Sequence, residues 1–305
     1  MILLLSTFVT NQRAVNRYSR IDIFKYMLES YKKIPFTEVY LLIKLDNEFL
    51  LPGQYFYDND LTEYLYNNFS HLGKDKIHIV LDRYTSQDKW KPFIINLMEK
   101  HGPNEPVWFL ENDDHIFIDY NTDVLMEGIE LLKNDENKYK SIGFSHWPEG
   151  IKLIGKSQTY IRLGNYIKIN LTQVESVQIF NLQFLYDIFV NHTWKREHRH
   201  IDTLVQGDLL NGIPDYLNNK LSQVIYIPLK ELCRHFDGYD HVGMDRSACP
   251  ALELPSNIFD YSKETLIKKM TARHDSYWTE NNNFTPPQEW IDIMLKLHTI
   301  DNYVL

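Results

Sequence analysis

Cysteine is scarce in this sequence of 305 residues, which contains only Cys233 and Cys249. Two cysteines at this spacing match neither a zinc site nor a disulfide framework, so a reducing, cytoplasmic location is expected. Asn, Lys, Ile and Tyr are abundant, as in proteins from AT-rich genomes. If the source is a virus, the cytoplasm in question is that of a host cell.

The sequence also lacks an apolar run long enough to span a membrane. Its opening segment, MILLLSTFV, is too short for a span, and no basic region precedes the apolar residues as one does in a signal peptide. We therefore interpret this segment as a buried first strand and expect no transmembrane segment.

Two glycine-rich phosphate-binding patterns are missing as well. Neither a dinucleotide-binding fingerprint nor a phosphate-binding loop with Lys and Ser/Thr follows any predicted strand, which argues against NAD enzymes and P-loop NTPases.

The sequence has fewer basic than acidic residues, with 32 Lys and Arg against 41 Asp and Glu, which gives a net charge of −9. This balance argues against a nucleic-acid-binding protein, although a nucleotide-sized ligand fits if a metal ion supplies positive charge.

The first third of the chain, in contrast, alternates strand and helix patterns. Strands alternating with helices imply a parallel sheet with crossover connections. Apolar runs predict strands at residues 2–9, 39–45, 77–81 and 107–110, and helical spacing predicts helices at 21–31, 61–72 and 87–100. The later pattern is mixed, with helices at 124–132, 182–190 and 201–210, strands at 141–146 and 224–227, and a hairpin around Gly164 and Asn165. One continuous α/β domain with a mixed sheet flanked by helices is predicted.

The fourth predicted strand ends in an acidic cluster, within the stretch VWFLENDDHIFID. Neighbouring carboxylates in a partly desolvated cleft need a cation or a proton to neutralise them. A hard divalent ion, Mg²⁺ or Mn²⁺, suits carboxylate oxygens and leaves positions for water and phosphate. The alternative is that residues 112–114 form a turn or the N-cap of a following helix, which acidic and amide side chains favour for backbone reasons.

This order of features resembles the GT-A class of nucleotide-sugar glycosyltransferases. The shared features are a first half built of strand–helix units, an acidic DxD-type motif after the fourth strand, and a late histidine-bearing segment, LCRHFDGYDHVG. The resemblance implies a GT-A-like, Rossmann-like fold. It divides the chain into a nucleotide-sugar-binding half (1–120), an acceptor-binding and metal-completing half (121–262) and a C-terminal helical tail (263–305).

The resemblance also implies a divalent metal, Mn²⁺ or Mg²⁺, that bridges the diphosphate of the sugar donor. The sequence ENDDH departs from a strict D-x-D, since it gives E-x-D and N-x-D instead. By analogy Asp114 is the metal ligand and Asp113 contacts the metal or the ribose. His235 would complete the metal shell, with His241 as the alternative, and Arg234 could pair with phosphate oxygens.

By the same analogy, the donor nucleotide lies across the ends of the first three strands. Thr7 and Val9 can offer backbone groups to the base, Arg13 can reach phosphate, and Asp46 can read the base or ribose. The remaining candidates there are Asp82 and Arg83. The alternative for each is a capping or solvated loop residue. An inverting enzyme also needs a general base for the acceptor hydroxyl, and our candidate is Asp208; a retaining enzyme need not have one.

The predicted function is therefore metal-dependent transfer of a sugar from a nucleoside diphosphate sugar, with UDP as the expected nucleotide, to a glycan or another hydroxyl acceptor. A Mg²⁺-dependent nucleotidyltransferase or phosphohydrolase is one alternative, since it also needs an aspartate pair. Sugar-activating nucleotidyltransferases usually open with a glycine-rich loop, which the segment STFVTNQRAVN lacks. A non-enzymatic carbohydrate-binding or scaffold domain is the other alternative, since aromatic residues make up 14% of the chain and suit stacking on sugars.

Overall fold

The computed structural model describes residues 1–9, 20–45, 56–82, 90–110, 115–117, 122–143, 160–170, 177–191, 223–229 and 232–235. The strands in these ranges are β1 (Ile2–Val9), β2 (Glu38–Leu45), β3 (Ile77–Asp82), β4 (Pro106–Leu110), β5 (His115–Phe117), β6 (Tyr139–Gly143), β7 (Tyr160–Leu163), β8 (Tyr166–Asn170), β9 (Val177–Asn181), β10 (Gln223–Pro228) and β11 (Cys233–His235). The helices are α1 (Arg20–Tyr31), α2 (Phe56–Asn68), α3 (Trp90–His101), α4 (Asp123–Asn134) and α5 (Leu182–Phe189).

A nine-stranded mixed sheet organises these elements, in the order β3-β2-β1-β4-β9-β6-β10-β8-β7. Strands β1 to β4 are parallel to one another, β9 runs antiparallel between β4 and β6, and β6 and β10 are again parallel. Strands β5 and β11 form a separate two-stranded sheet. The prediction of a Rossmann-like mixed sheet flanked by helices is confirmed.

Alternation along the strands explains why helices cover both faces of the sheet. Leu3 and Leu5 of β1 pack into one buried cluster with side chains of α1, α2, α4 and β5, on what we call the first face. Ile2 and Leu4 pack into a second cluster with side chains of α3 and α5, on the second face. The near-continuous apolar run of β1 is thus the signature of a strand that is buried on both sides.

Most predicted elements lie where the sequence patterns put them, but three strands were not predicted. Strands β5, β9 and β11 have three to five residues each, too few to show a period. Strand β9 also carries buried polar residues: Gln178 donates to Ser141 Oγ (2.7 Å) and Asn181 donates to the Lys138 carbonyl (2.8 Å). These tertiary hydrogen bonds let amides occupy positions at which a sequence pattern expects apolar side chains.

Helix α2 begins earlier than predicted, at Phe56 instead of residue 61, and ends at Asn68, with a 3-10 turn at Ser70–Leu72. Asp58, Asn59 and Asp60 suggested a loop, yet aspartate is favourable near the start of a helix because its negative charge complements the helix dipole. None of the described helices is long and apolar enough to cross a membrane.

The sheet also bears on the predicted division of the chain. Strand β4, before residue 120, pairs with β9, after it, so the proposed halves share one sheet. The boundaries themselves stay a prediction, and the predicted tail at 263–305 and the predicted helix at 201–210 lie outside the described residues.

Candidate functional site

The strand order reverses beside β1. The chain proceeds from β1 to β2 and β3 on one side, and then crosses to place β4 on the other side of β1. In open α/β sheets, ligands bind in the crevice at the carboxyl ends of the strands where the order reverses. Strand β1 extends beyond β4 there, because its last pair with β4 is Leu5 with Leu110, whereas its pairing with β2 continues to Val9 with Leu45.

Thr7 lies in this extension of β1. Every second residue of a strand points to the same face, so Thr7 lies on the first face of the sheet with Leu3 and Leu5. Thr7 is only 4% exposed. Its hydroxyl oxygen is buried and has no hydrogen-bond partner within the part of the chain that the structure describes. Leaving a buried hydroxyl unsatisfied costs about 1–3 kcal/mol, a cost that a ligand with a polar group at this position would relieve.

Each of the other predicted nucleotide contacts ends one of the first three strands or follows one in the chain. Val9 ends β1 and Asp82 ends β3, where the backbone of Asp82 pairs with Lys44 of β2. Asp46 directly follows the end of β2, and Arg83 directly follows β3. Asp46, Arg83 and Arg13 lie outside the described residues, so their roles stay predictions.

The two-stranded sheet contains His235, a predicted metal ligand, and the residue that follows Asp114, the other main predicted ligand. Strand β5 begins at His115, the residue after Asp114, and it pairs antiparallel with β11 so that His235 lies opposite His115. Directly opposite residues of antiparallel strands have Cα atoms about 4.5–5.5 Å apart. The backbone of His235 therefore lies beside that of His115, the residue that follows the acidic segment 111–114 in the chain. Asp113 and Asp114 themselves lie outside the described residues, as do His241 and Asp208.

The strand that follows the acidic segment decides one of the alternatives. If residues 112–114 capped a following helix, that helix would begin at His115; instead, β5 begins there, and the next described helix, α4, begins at Asp123. The N-cap interpretation is therefore wrong, whereas the alternative of a turn stays untested. The segment connects two strands.

Sequence reasoning missed the residues that hold β5 against the first face. His115 is 4% exposed and its backbone carbonyl accepts a hydrogen bond from the Tyr31 hydroxyl (2.9 Å). The backbone N–H of Phe117 donates to Ser30 Oγ (3.0 Å). These partners are more than 80 residues apart in the chain, and no local pattern signals such contacts.

The donor set fits a divalent cation by its chemistry. Asp113 and Asp114 are adjacent in the sequence and have carboxylate oxygens, and His235, whose backbone pairs with that of His115, has an imidazole that can supply a nitrogen. Carboxylates suit Mg²⁺ and Mn²⁺, and imidazole binds transition metals. Among the described residues alone, no group of three or more His, Cys, Asp or Glu is arranged to hold a metal ion.

Two buried carboxylates at the opposite, amino edge of the sheet also have shifted pKa values. Glu38 begins β2, and its side chain is 5% exposed. Burial by itself raises the pKa of Glu38, but hydrogen-bonding partners outweigh burial and lower the pKa to about 2. The partners are Lys100 Nζ (2.9 Å), Tyr40 OH (2.7 Å), His101 Nε2 (3.1 Å) and His78 Nε2 (3.0 Å).

The second buried carboxylate is Asp135, which lies between α4 and β6 and has a side chain that is 1% exposed. Burial raises its pKa, but hydrogen bonds from Lys168 (2.7 Å), the Tyr226 hydroxyl and Asn137 hold the pKa well below its usual range. Because both carboxylates already have several partners, we interpret them as structural ion networks and not as reactive groups.

Comparison with protein-family models and with curated proteins found no match. Among solved structures, the chain is similar to a UDP-glucose pyrophosphorylase complexed with UDP-glucose, with a TM-score of 0.38 and 12% sequence identity. The alignment covers 90% of this chain and 98% of that one. A likeness this distant carries no argument about function, which has to rest on the sheet and the site.

Proposed function

We propose that this protein is a metal-dependent glycosyltransferase of the GT-A class, which transfers a sugar from a UDP-sugar to a hydroxyl group of a glycan or another acceptor. The observation that carries the proposal is the pairing of β5 with β11, which sets His235 opposite the residue that follows Asp114. Phe117 of the same strand β5 packs in the buried cluster on the first face of the sheet, the side that Thr7 also faces.

In this proposal the residues around the crevice divide the work of binding the donor. Asp113, Asp114 and His235 hold the divalent cation. Thr7 and Val9 contact the base or ribose at the end of β1. The remaining donor contacts are Asp46 and Asp82, on the nucleoside, and Arg13 and Arg83, on the phosphates.

The reaction forms a bond between the acceptor oxygen and the anomeric carbon and breaks the bond between that carbon and the β-phosphate oxygen. When bound, the divalent cation supplies Lewis-acid stabilisation of the charge that develops on the leaving diphosphate. In an inverting reaction Asp208 accepts the proton of the acceptor hydroxyl. Arginine side chains at the strand ends pair with phosphate oxygens and orient the donor.

The first test is ligand-dependent thermal stabilisation with UDP, GDP and their sugars, with and without Mn²⁺, on wild type and Asp114→Ala. A ligand at a hundredfold excess over its dissociation constant stabilises the folded state by roughly 2.7 kcal/mol, which gives a clear shift. We expect a Mn²⁺-dependent shift with UDP that is lost in Asp114→Ala. The matched control is Asp75→Ala, an exposed aspartate at the amino edge, which should keep the shift.

The second test identifies the reaction by its products. A glycosyltransferase releases UDP from a UDP-sugar when an acceptor is present, whereas a nucleotidyltransferase releases pyrophosphate from UTP and a sugar 1-phosphate. A phosphohydrolase releases inorganic phosphate, and a carbohydrate-binding domain gives no product. Pyrophosphate release without UDP release would replace our proposal with the nucleotidyltransferase, and no nucleotide-dependent shift in folded protein would favour the binding domain.

A further inference from the structure

The last turn of α1 carries two hydroxyl groups that bind the backbone of β5. The Tyr31 hydroxyl donates to the His115 carbonyl at 2.9 Å, and Tyr31 is fully buried. The Phe117 N–H donates to Ser30 Oγ at 3.0 Å, while the Ser30 hydroxyl itself donates to the Met27 carbonyl at 2.6 Å. Both contacts thus involve adjacent residues at the end of one helix.

These two hydrogen bonds take the place of a neighbouring strand. In an extended strand, the carbonyl of one residue and the N–H of the second residue after it point to the same edge. The carbonyl of His115 and the N–H of Phe117 are such a pair, so the end of α1 satisfies one edge of β5. Strand β11 pairs with the same three residues of β5. A three-residue strand is thereby held by a strand and by a helix.

Aromatic packing ties the preceding strand to the same helix end. The Tyr31 ring contacts Trp108 of β4, with ring centroids 5.1 Å apart, and Trp108 contacts Phe117 at 5.9 Å. Strand β4 ends at Leu110 and β5 begins at His115. Both ends of the acidic segment 111–114 are therefore anchored around Tyr31.

We infer that Tyr31 and Ser30 are positioning residues for the proposed metal site, because they hold β5, the strand that directly follows the acidic segment in the chain. This inference rests on the proposed function, because it assigns an outer support to the same metal site. Groups that orient metal ligands without touching the metal typically contribute 10–100-fold to metal affinity. Tyr31 acts at one further remove, through the main-chain carbonyl of His115, which follows Asp114, so we expect an effect at the lower end of that range.

The decisive variant is Tyr31→Phe, which keeps the ring that packs on Trp108 and removes only the hydroxyl. We expect its dissociation constant for Mn²⁺, measured by electron paramagnetic resonance in the presence of UDP, to rise about tenfold. Ser30→Ala should raise the dissociation constant by a smaller factor. It replaces Tyr31→Phe as the test variant if Tyr31→Phe folds poorly. Amide hydrogen exchange in the peptide 111–117, measured without metal, should be faster in both variants.

The matched control is Tyr64→Phe. The Tyr64 hydroxyl also donates to an α1 carbonyl, that of Lys25 at 3.1 Å, but it ties α1 to α2 and not to β5. This variant should keep the Mn²⁺ affinity of wild type and its exchange rate in the peptide 111–117. It therefore separates a general weakening of α1 from the loss of the contact with β5.

Three outcomes are distinguishable. A weaker Mn²⁺ affinity in Tyr31→Phe, with an unchanged Tyr64→Phe, supports the inference. A Tyr31→Phe protein that is folded and binds Mn²⁺ within twofold of wild type overturns it and leaves the proposed function standing. A folded wild type that binds no Mn²⁺ with or without UDP overturns the proposed metal site and this inference together.

Discussion

The two edges of the large sheet differ in how their polar side chains are used. At the amino edge, Glu38 and Asp135 are each surrounded by several hydrogen-bonding partners. At the carboxyl edge, Thr7 buries a hydroxyl that has no partner among the described residues. A satisfied polar network contributes to stability, whereas an unsatisfied buried group is a cost that a bound ligand can offset. The amino edge thus stabilises the fold, and the carboxyl edge is where we expect chemistry.

The largest expected effect comes from the carboxyl edge. Asp114→Asn keeps the size of the side chain and removes its charge, so the cation should bind poorly and the transfer rate should fall on the order of a thousandfold. If the Asp114 carboxylate serves the cation and not the fold, the free energy of unfolding without metal should stay within about 0.5 kcal/mol of wild type. Steady-state UDP release and urea unfolding measure the two quantities, and Asp75→Asn is the control. A large loss of stability without metal would contradict the assignment of Asp114 to ligand binding instead of fold stability.

The next largest effect is expected at the amino edge, where a substitution should lower stability and leave ligand binding unchanged. Glu38→Gln removes the buried carboxylate charge that accepts hydrogen bonds from four side chains, so the free energy of unfolding should fall by about 3 kcal/mol. Urea unfolding at neutral pH measures this fall. Affinity for Mn²⁺ and UDP should be unchanged, because Glu38 begins β2 at the far edge from the crevice. A Glu38→Gln protein with normal stability but weak donor binding would reverse our assignment of the two edges.

Lowering the pH should reproduce, in the wild-type protein, the loss of stability that we expect for Glu38→Gln. The pKa of Glu38 is about 2 in the folded protein against an ordinary value of 4.5, so its stabilisation is complete above pH 4.5 and is lost as the pH falls towards 2. The loss amounts to about 3 kcal/mol over that range. Chemical denaturation between pH 5 and pH 2.5 tests this. The Glu38→Gln variant should show a shallower fall; equal slopes would mean that Glu38 does not titrate as stated.

The smallest expected effect tests the role of the unsatisfied hydroxyl at the carboxyl edge most directly. Thr7→Val removes the buried hydroxyl and keeps the shape of the side chain, so the ligand-free protein should be as stable as wild type or more stable by about 1 kcal/mol. Nucleotide affinity should fall roughly tenfold, or about 1.4 kcal/mol. Isothermal titration with UDP and Mn²⁺ measures it.

Thr37→Val provides the contrast, because its hydroxyl donates to the Met1 carbonyl at 3.1 Å. That variant should lose stability and keep its nucleotide affinity. Unchanged UDP affinity in Thr7→Val would remove Thr7 from the donor site.

Local patterns were sufficient to predict much of the fold. The apolar run at residues 2–9 and the helical spacing of Phe24, Met27 and Tyr31 correspond to β1 and α1. The hairpin of β7 and β8 was predicted from Gly164, which indeed has a positive φ of 57° in the two-residue turn. These features depend on residues close together in the chain, so the sequence determines them directly.

The sequence by itself therefore determined the alternating elements, the mixed α/β class and the acidic segment at the end of β4. Only the tertiary structure decided which strands are neighbours. The insertion of β9 beside β4, the alignment of His235 with His115 and the contact of Tyr31 with β5 all join distant parts of the chain. Such pairings depend on packing and on hydrogen bonds between elements, which leave no periodic signal in either segment alone.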